Sequence, residues 1–240
     1  MKPLLQIKSL TKHYGRFTAV DQVSFSIYEG EILGLIGPNG AGKTTVFECL
    51  GGVLPANHLE VLQDERPLTA AEMNSTLFYL PDAITPWPAQ TVSWALDFTI
   101  GFFGGRRELR DDVVHRLDVT PLLERPMGKL SKGQRKRALL AIGLLMPQPL
   151  LIADEPFEGL DLRQTREIAM ALRSYAGSGK RSMLLSIHQI ADAARVCDRF
   201  VLLSAGKSCA EGTLRELSAL ASRSGTTASG DLEEIFLALT

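Results

Sequence analysis

Residues 33–45 read Leu-Gly-Leu-Ile-Gly-Pro-Asn-Gly-Ala-Gly-Lys-Thr-Thr. The apolar run Leu33, Leu35, Ile36 stops abruptly at Gly-Pro-Asn-Gly, residues that tolerate tight turns, so the spacing predicts a buried strand that feeds a loop. After Gly42 the stretch Lys-Thr-Thr-Val-Phe-Glu-Cys-Leu has helix-compatible spacing and ends at Gly51 and Gly52, as helix carboxyl ends commonly do. Gly37, four intervening residues, then Gly42, Lys43 and Thr44 is the spacing of a phosphate-binding loop, in which glycines let backbone N–H groups converge on phosphate oxygens at a helix amino terminus. In that arrangement Lys43 bridges the β and γ phosphates as a mobile point charge, and the Thr44 hydroxyl is a ligand for Mg2+. An isolated glycine turn would give the same spacing; the strand before it and the helix after it are the context the chemistry demands.

Outward from this loop, further short strands are expected at Thr76–Leu80, Leu150–Ala153, Ser182–Ile187 and Phe200–Leu203, with amphipathic helical stretches between several of them. Alternation of this kind favours an α/β fold with a mainly parallel sheet covered by helices. Residues 83–129 break the rhythm: they open with Pro86 and Pro88 and then read as two or three helices without a strand, an inserted helical subdomain. Residues 1–82 and 130–221 would then form one core. The small polar run Ser222–Gly230 reads as a flexible linker to a short final helix, Asp231–Leu239.

Composition narrows the classes. A chain of 240 residues with 45% hydrophobic content can bury one substantial core. Its 26 Lys and Arg against 27 Asp and Glu give a formal charge of −1, so no global positive field exists to hold a nucleic-acid backbone. Cys49, Cys197 and Cys209 are odd in number and set among apolar neighbours, which suits buried thiols in a reducing compartment better than a disulfide framework. The amino-terminal stretch is interrupted by Lys2, Lys8, Lys12 and Arg16 and builds no apolar core of a secretory signal. The longest apolar stretch, Ala138–Ala153, is cut by Pro147, Gln148 and Pro149 into a helix and a strand, each too short to cross a bilayer.

Two more segments carry chemistry. In Leu150–Pro156, four apolar residues deliver Asp154 and Glu155 to the end of a buried strand, the crevice where open α/β sheets bind ligands. Asp154 would hold Mg2+ through water, and Glu155 would orient and polarise an attacking water. In Leu130–Arg137 a Ser-x-Gly-Gln turn precedes a helix, so Ser131 and the Gly133 amide could hold an anion at its amino terminus. Separately, these are also what an acidic turn and an ordinary capped helix look like. Their order is what matters: phosphate loop, Leu-Ser-Lys-Gly-Gln, acidic strand, Gly159–Asp161, then His188 after an apolar strand.

With these motifs in this order, the chain resembles the nucleotide-binding domain of ABC transporters over nearly its whole length. The resemblance implies a P-loop NTPase core with a small amino-terminal antiparallel β layer. It implies ATP contacts from Tyr14, whose ring would stack on adenine, and from Gly37, Asn39, Gly40, Ala41, Gly42, Lys43, Thr44 and Thr45. Glu155, His188 and Lys43 would serve catalysis, His188 by contacting the γ-phosphate. Ser131, Lys132, Gly133 and Gln134 would serve the ATP of a second subunit, a second copy of this chain, so that two chains sandwich two nucleotides. Asp161 would cross that interface or cap the helix after it, or both. Separate transmembrane permease subunits would be the other partner, and the chain would sit in the cytoplasm, peripheral on the inner face of the membrane.

Two departures from the family pattern stand out. Asp82 follows Thr-Leu-Phe-Tyr-Leu-Pro where members usually carry glutamine; it can still offer an oxygen to Mg2+, beside Thr44 and Asp154, while adding negative charge. Lys132 replaces a glycine of the signature. The lobe concentrates Trp87, Trp94, Phe98, Phe102 and Phe103, which either fill its core or line a groove for a helix of the membrane subunit. The ending Asp-Leu-Glu-Glu-Ile-Phe-Leu-Ala-Leu-Thr resembles short subunits of ABC-2 type exporters. The expected function is therefore transport-coupled hydrolysis of Mg-ATP, the alternative being a nucleotide-gated regulatory subunit with weak hydrolysis.

Overall fold

The computed structural model describes residues 2–82, 84–177, 181–223 and 231–240. In chain order its elements are β1 (Pro3–Tyr14), β2 (Phe17–Tyr28), β3 (Ile32–Ile36), α1 (Lys43–Leu50), β4 (His58–Gln63), β5 (Arg66–Pro67), α2 (Ala70–Thr76) and β6 (Leu77–Leu80). There follow α3 (Val92–Phe103), α4 (Arg110–Arg116), α5 (Lys132–Leu145), β7 (Leu150–Ala153), α6 (Leu162–Gly177) and β8 (Ser182–Ile187). The last are α7 (Ile190–Val196), β9 (Arg199–Ser204), β10 (Lys207–Gly212), α8 (Leu214–Arg223) and α9 (Leu232–Leu239).

Two sheets result. One is four-stranded and antiparallel, in the order β2-β1-β4-β5, and the other six-stranded, in the order β10-β9-β3-β8-β7-β6. In the larger sheet β9, β3, β8, β7 and β6 run parallel to their neighbours and only the β9–β10 hairpin is antiparallel. Parallel strands covered on both faces read as unbroken apolar runs, and β3, β7 and β8 are buried along their whole length. Successive residues alternate faces: Ile32 and Ile36 join the core shared with the helices α3 to α9, whereas Leu33 and Leu35 join the core between the sheets and α1. The carboxyl ends of β3, β6, β7 and β8 therefore come to one edge, where the loop after each can meet the others.

The helix α5 lies at the centre of this arrangement. Ser131 caps it, accepting the Gln134 amide at 3.3 Å while Gln134 Oε1 accepts the Ser131 amide at 3.0 Å, a reciprocal capping box. From Ala138 to Leu145 every residue is buried. The helix closes at Leu145, before Pro147 and Pro149, and β7 starts at Leu150. No helix among the described residues is long and apolar enough to cross a membrane.

Between residues 84 and 129 the chain forms α3, α4 and three 3-10 turns, with a single isolated bridge, Thr91 to Pro126. The expected strands hold with two changes of bounds: β9 runs one residue further at each end than Phe200–Leu203, and Thr76 ends α2, its hydroxyl donating to the Glu72 carbonyl at 2.7 Å, so that strand begins at Leu77. The Thr69–Glu72 capping box starts a helix that the apolar strand pattern had concealed. Asp231 caps α9, so the final helix begins one residue later than expected. Ala83 and most of the expected linker, residues 224–230, lie outside the described residues. Cys49 and Cys197 are buried thiols, but Cys209 is exposed, because β10 is the edge strand of its sheet and half of it faces outward.

Candidate nucleotide site

Residues 37–42 join β3 to α1 in a loop that only glycine fits at two points. A Cβ on Gly37 would stand 2.3 Å from the Leu203 carbonyl oxygen, and one on Gly42, itself at φ 101°, would stand 2.8 Å from the Ala19 carbonyl oxygen. Gly42 is also the N-cap of α1, which has neither a side-chain cap nor an acidic residue in its first turn. The free N–H groups at that helix start, with Gly40 turned to φ 80° beside them, therefore suit an anion. Lys43, only 6% exposed, donates to the Gly37 carbonyl at 2.7 Å and to the Pro38 carbonyl at 3.2 Å. Burial pushes its ammonium below the usual lysine range, opposed by the carboxylates of Glu155 and then Asp154. An ammonium held only by two carbonyls and a carboxylate 3.9 Å away is poised to move onto a phosphate.

Beside it the Thr44 hydroxyl donates to Asp154 Oδ2 at 2.9 Å. Asp154 is 5% exposed and anchored by its own amide to the Leu80 carbonyl at 3.0 Å. These two hard oxygen donors, in the first turn of α1 and directly after β7, fit a Mg2+ ion. Glu155 stands at φ 46°, the left-handed region that few bulky residues adopt. Its Oε2 accepts from His188 Nδ1 across 2.5 Å, and its other oxygen faces Lys43. Ser186, on β8, ties the strand ends together: its hydroxyl donates to Asp154 Oδ1 and accepts the Glu155 amide at 2.8 Å. Lys43, Thr44, Asp154, Glu155 and His188, spread over the chain, thus meet at the carboxyl ends of β3, β7 and β8.

Other residues singled out from the sequence lie in different surroundings. Asp82 pairs with the ammonium of Lys136, a residue of α5. Ser131 and Gln134 are engaged in the α5 cap, where Arg125 also donates to Gln134 Oε1 at 3.1 Å. Lys132 pairs with Glu158 at 2.6 Å, and a Cβ on Gly133 would stand 2.7 Å from the Gly159 carbonyl oxygen, so α5 lies directly against the Gly159–Asp161 turn. Asp161 caps the start of α6, accepting the Gln164 amide at 2.8 Å. Tyr14, 48% exposed at the tip of the β1–β2 hairpin, has the Lys12 ammonium 5.2 Å over its ring. Asn39, Gly40 and Thr44–Thr45 lie in the loop and the first turn of α1. His13, His58 and His115 are exposed and lie apart from these residues. Ser186 and Lys136 escaped the sequence reading; a serine inside an otherwise apolar strand was the one available signal.

On α3 the rings of Trp94, Phe98 and Phe102 follow one another at a spacing of four residues, stacked at 4.9 and 5.5 Å between centroids. Trp87 packs edge-on against Trp94 and Phe98, and Phe103 against Phe102. Trp87 joins the helical core, whereas Trp94, Phe102 and Phe103 are exposed.

A family model described as ABC transporter matches residues 20–158, which include the phosphate loop, the signature turn and the acidic strand end. The SkfA peptide export ATP-binding protein SkfE of Bacillus subtilis is 32% identical over 208 residues, covering 85% of this chain and 87% of that protein. A hemin import ATP-binding protein, HmuV, of Thermobifida fusca is 31% identical over 233 residues, covering 89% of this chain and 78% of that one. A solved structure described as the ATP binding subunit of an ABC transporter superposes with a TM-score of 0.86 at 25% identity, covering 98% of this chain and 99% of the other. With the phosphate loop, the acidic strand end and the signature turn folded as they are, the chain belongs to the ABC transporter family, as one of its ATP-binding ATPase subunits.

Proposed function

We propose that this chain hydrolyses Mg-ATP at a site completed by a second copy of itself, and that it passes the closing and opening of the pair to separate transmembrane permease subunits, working as an exporter. The observation that carries this reading is the meeting of Lys43, Thr44, Asp154, Glu155 and His188 at the ends of three neighbouring strands. The free amides at the start of α1 and the Lys43 ammonium would take the phosphates of ATP, and Thr44 with Asp154 would hold Mg2+. Bound there, Mg2+ would supply positive charge at the phosphate oxygens.

The remaining work falls to side chains. Glu155, fixed through its amide by Ser186 and through Oε2 by His188, is placed to align a water and take its proton. Ser131, exposed at the start of α5, and Gly133, buried two residues on, would serve the nucleotide of the other copy, with Asp161 at the same face. Tyr14, exposed at its hairpin tip, would stack on adenine. The lobe of residues 83–129 would present the exposed ring row of α3 to a permease helix. Support for the export direction comes from the closing stretch of the chain and from the peptide-export relative; the import relative makes direction a question for a transport assay.

The test is phosphate release from Mg-ATP by purified protein. Parent protein is expected to turn over, and Glu155→Gln to lose at least about 100-fold in rate, the scale of a lost general base, while still binding ATP. Release that Glu155→Gln leaves unchanged contradicts the assignment. No release by the parent, with or without permease, supports a nucleotide-gated subunit instead.

A further inference from the structure

We propose that Lys136 and Asp82 work as one charge pair that locks the signature helix α5 to the strand ends of the nucleotide site, and that the Asp82 carboxylate serves this ammonium in place of a metal ion. The proposal rests on the reading of the site as an ATP-hydrolysing centre and names a positioning residue, Lys136, within it.

Lys136 is a lysine with almost no access to water: its side chain is 4% exposed. A buried ammonium is stable only when paired and hydrogen-bonded. Its partners are the Asp82 carboxylate and, at 3.3 Å, the backbone carbonyl of Asp154. Asp82 lies two residues beyond β6, and Asp154 follows β7 directly. These strands are neighbours, and the Asp154 amide is itself bonded to Leu80 at the end of β6. One ammonium thus bridges both strand ends from α5.

On the same helix, Ser131 caps the start and Gly133 packs against the Gly159 turn. A displacement of α5 relative to β7 must therefore stretch the Lys136 contacts or carry Asp82 and the Asp154 backbone along. Asp154 also accepts from Thr44, so the link runs from the signature turn to the phosphate loop inside one chain. A neutral side chain at position 82 would leave the Lys136 charge buried without a counter-charge, which explains a carboxylate there. Once engaged by an ammonium, that carboxylate is a poor second ligand for a dication, because two cations would share one charge.

The experiment is a double-mutant cycle with Asp82→Gln, Lys136→Gln and the pair together, read on nucleotide-free melting, on nucleotide affinity and on Mg-ATP turnover. Each single variant is expected to lower the melting temperature by at least about 4 °C, and the double to return to within about 2 °C of the parent. Each single variant is expected to lower kcat about tenfold or more while changing nucleotide affinity less than about threefold, and the double to lose no more than either single. Additive losses in melting and turnover overturn the pair. An Asp82→Gln variant whose Mg2+ half-saturation rises more than about tenfold, while Lys136→Gln leaves it unchanged, overturns the ammonium assignment in favour of a metal ligand. If the parent protein releases no phosphate, the hydrolytic reading falls, and the melting cycle alone still decides the pair.

Discussion

Ser186 donates its hydroxyl proton to Asp154 while accepting the Glu155 amide at 2.8 Å, so one small side chain on β8 holds both the Asp154 carboxylate and the Glu155 backbone. With alanine there, Asp154 Oδ1 and the Glu155 amide both lose a buried partner, and Glu155 loses a restraint on its φ of 46°. Ser186→Ala is therefore expected to lower phosphate release about 10- to 100-fold, the range for removing a group that orients metal-site residues, with the Mg2+ requirement rising. Destabilisation of about 1–3 kcal/mol, the cost of unpaired buried polar groups, should accompany it. Turnover within twofold of the parent would show that Ser186 is only a buried hydroxyl. Why this residue and Lys136 were hard to read from sequence has a physical reason: their partners lie 18 to 54 residues away, in other segments of the chain. Lys43, Thr44, Asp154 and Glu155 were legible because a phosphate loop and a strand-end carboxylate pair each need their residues side by side in the chain.

The strands show the same division. Short apolar runs closed by glycine, proline or acidic residues marked β7 and β8 to the residue, because fully buried parallel strands admit little else. Thr76 was misread as strand since a short capped helix, α2, runs into β6 with no residue between them, and a β-branched threonine suits either element's end. On α3 sequence could count the aromatic residues without saying which way they face. The folded helix answers with a division: Trp87 is packed into the core, and Trp94, Phe102 and Phe103 are exposed. Trp94 and Phe102, exposed eight residues apart on one helix with the half-buried ring of Phe98 stacked between them, are a surface for another apolar element. Trp94→Ser with Phe102→Ser should therefore abolish co-purification with the permease while leaving ATP affinity within about twofold, since binding residues sit on other elements. Retention of the permease by this double variant would remove α3 from the coupling surface.

At the scale of the whole molecule, the proposed function gives each copy two half-sites that lie apart within the chain. The phosphate loop and the two carboxylates gather at the ends of β3 and β7, whereas Ser131, Lys132 and Gln134 make their contacts around the cap of α5, with Arg125 and Glu158. A formal charge of −1 leaves no strong repulsion between two copies approaching each other. The transported cargo is not legible in the sequence or the fold, because under the proposed function it would meet the permease and not this chain. The central claim is that two copies complete each other's site, and mixing two inactive variants tests it most directly. Lys43→Ala lacks the phosphate charge and Ser131→Arg blocks the signature turn; each alone is expected to release no phosphate from Mg-ATP. Mixed in equal amounts, they can form pairs with one intact composite site, and phosphate release should return to at least about a tenth of the parent rate, as mass action on such pairs allows. A mixture as silent as its components, beside an active parent, would contradict the shared site.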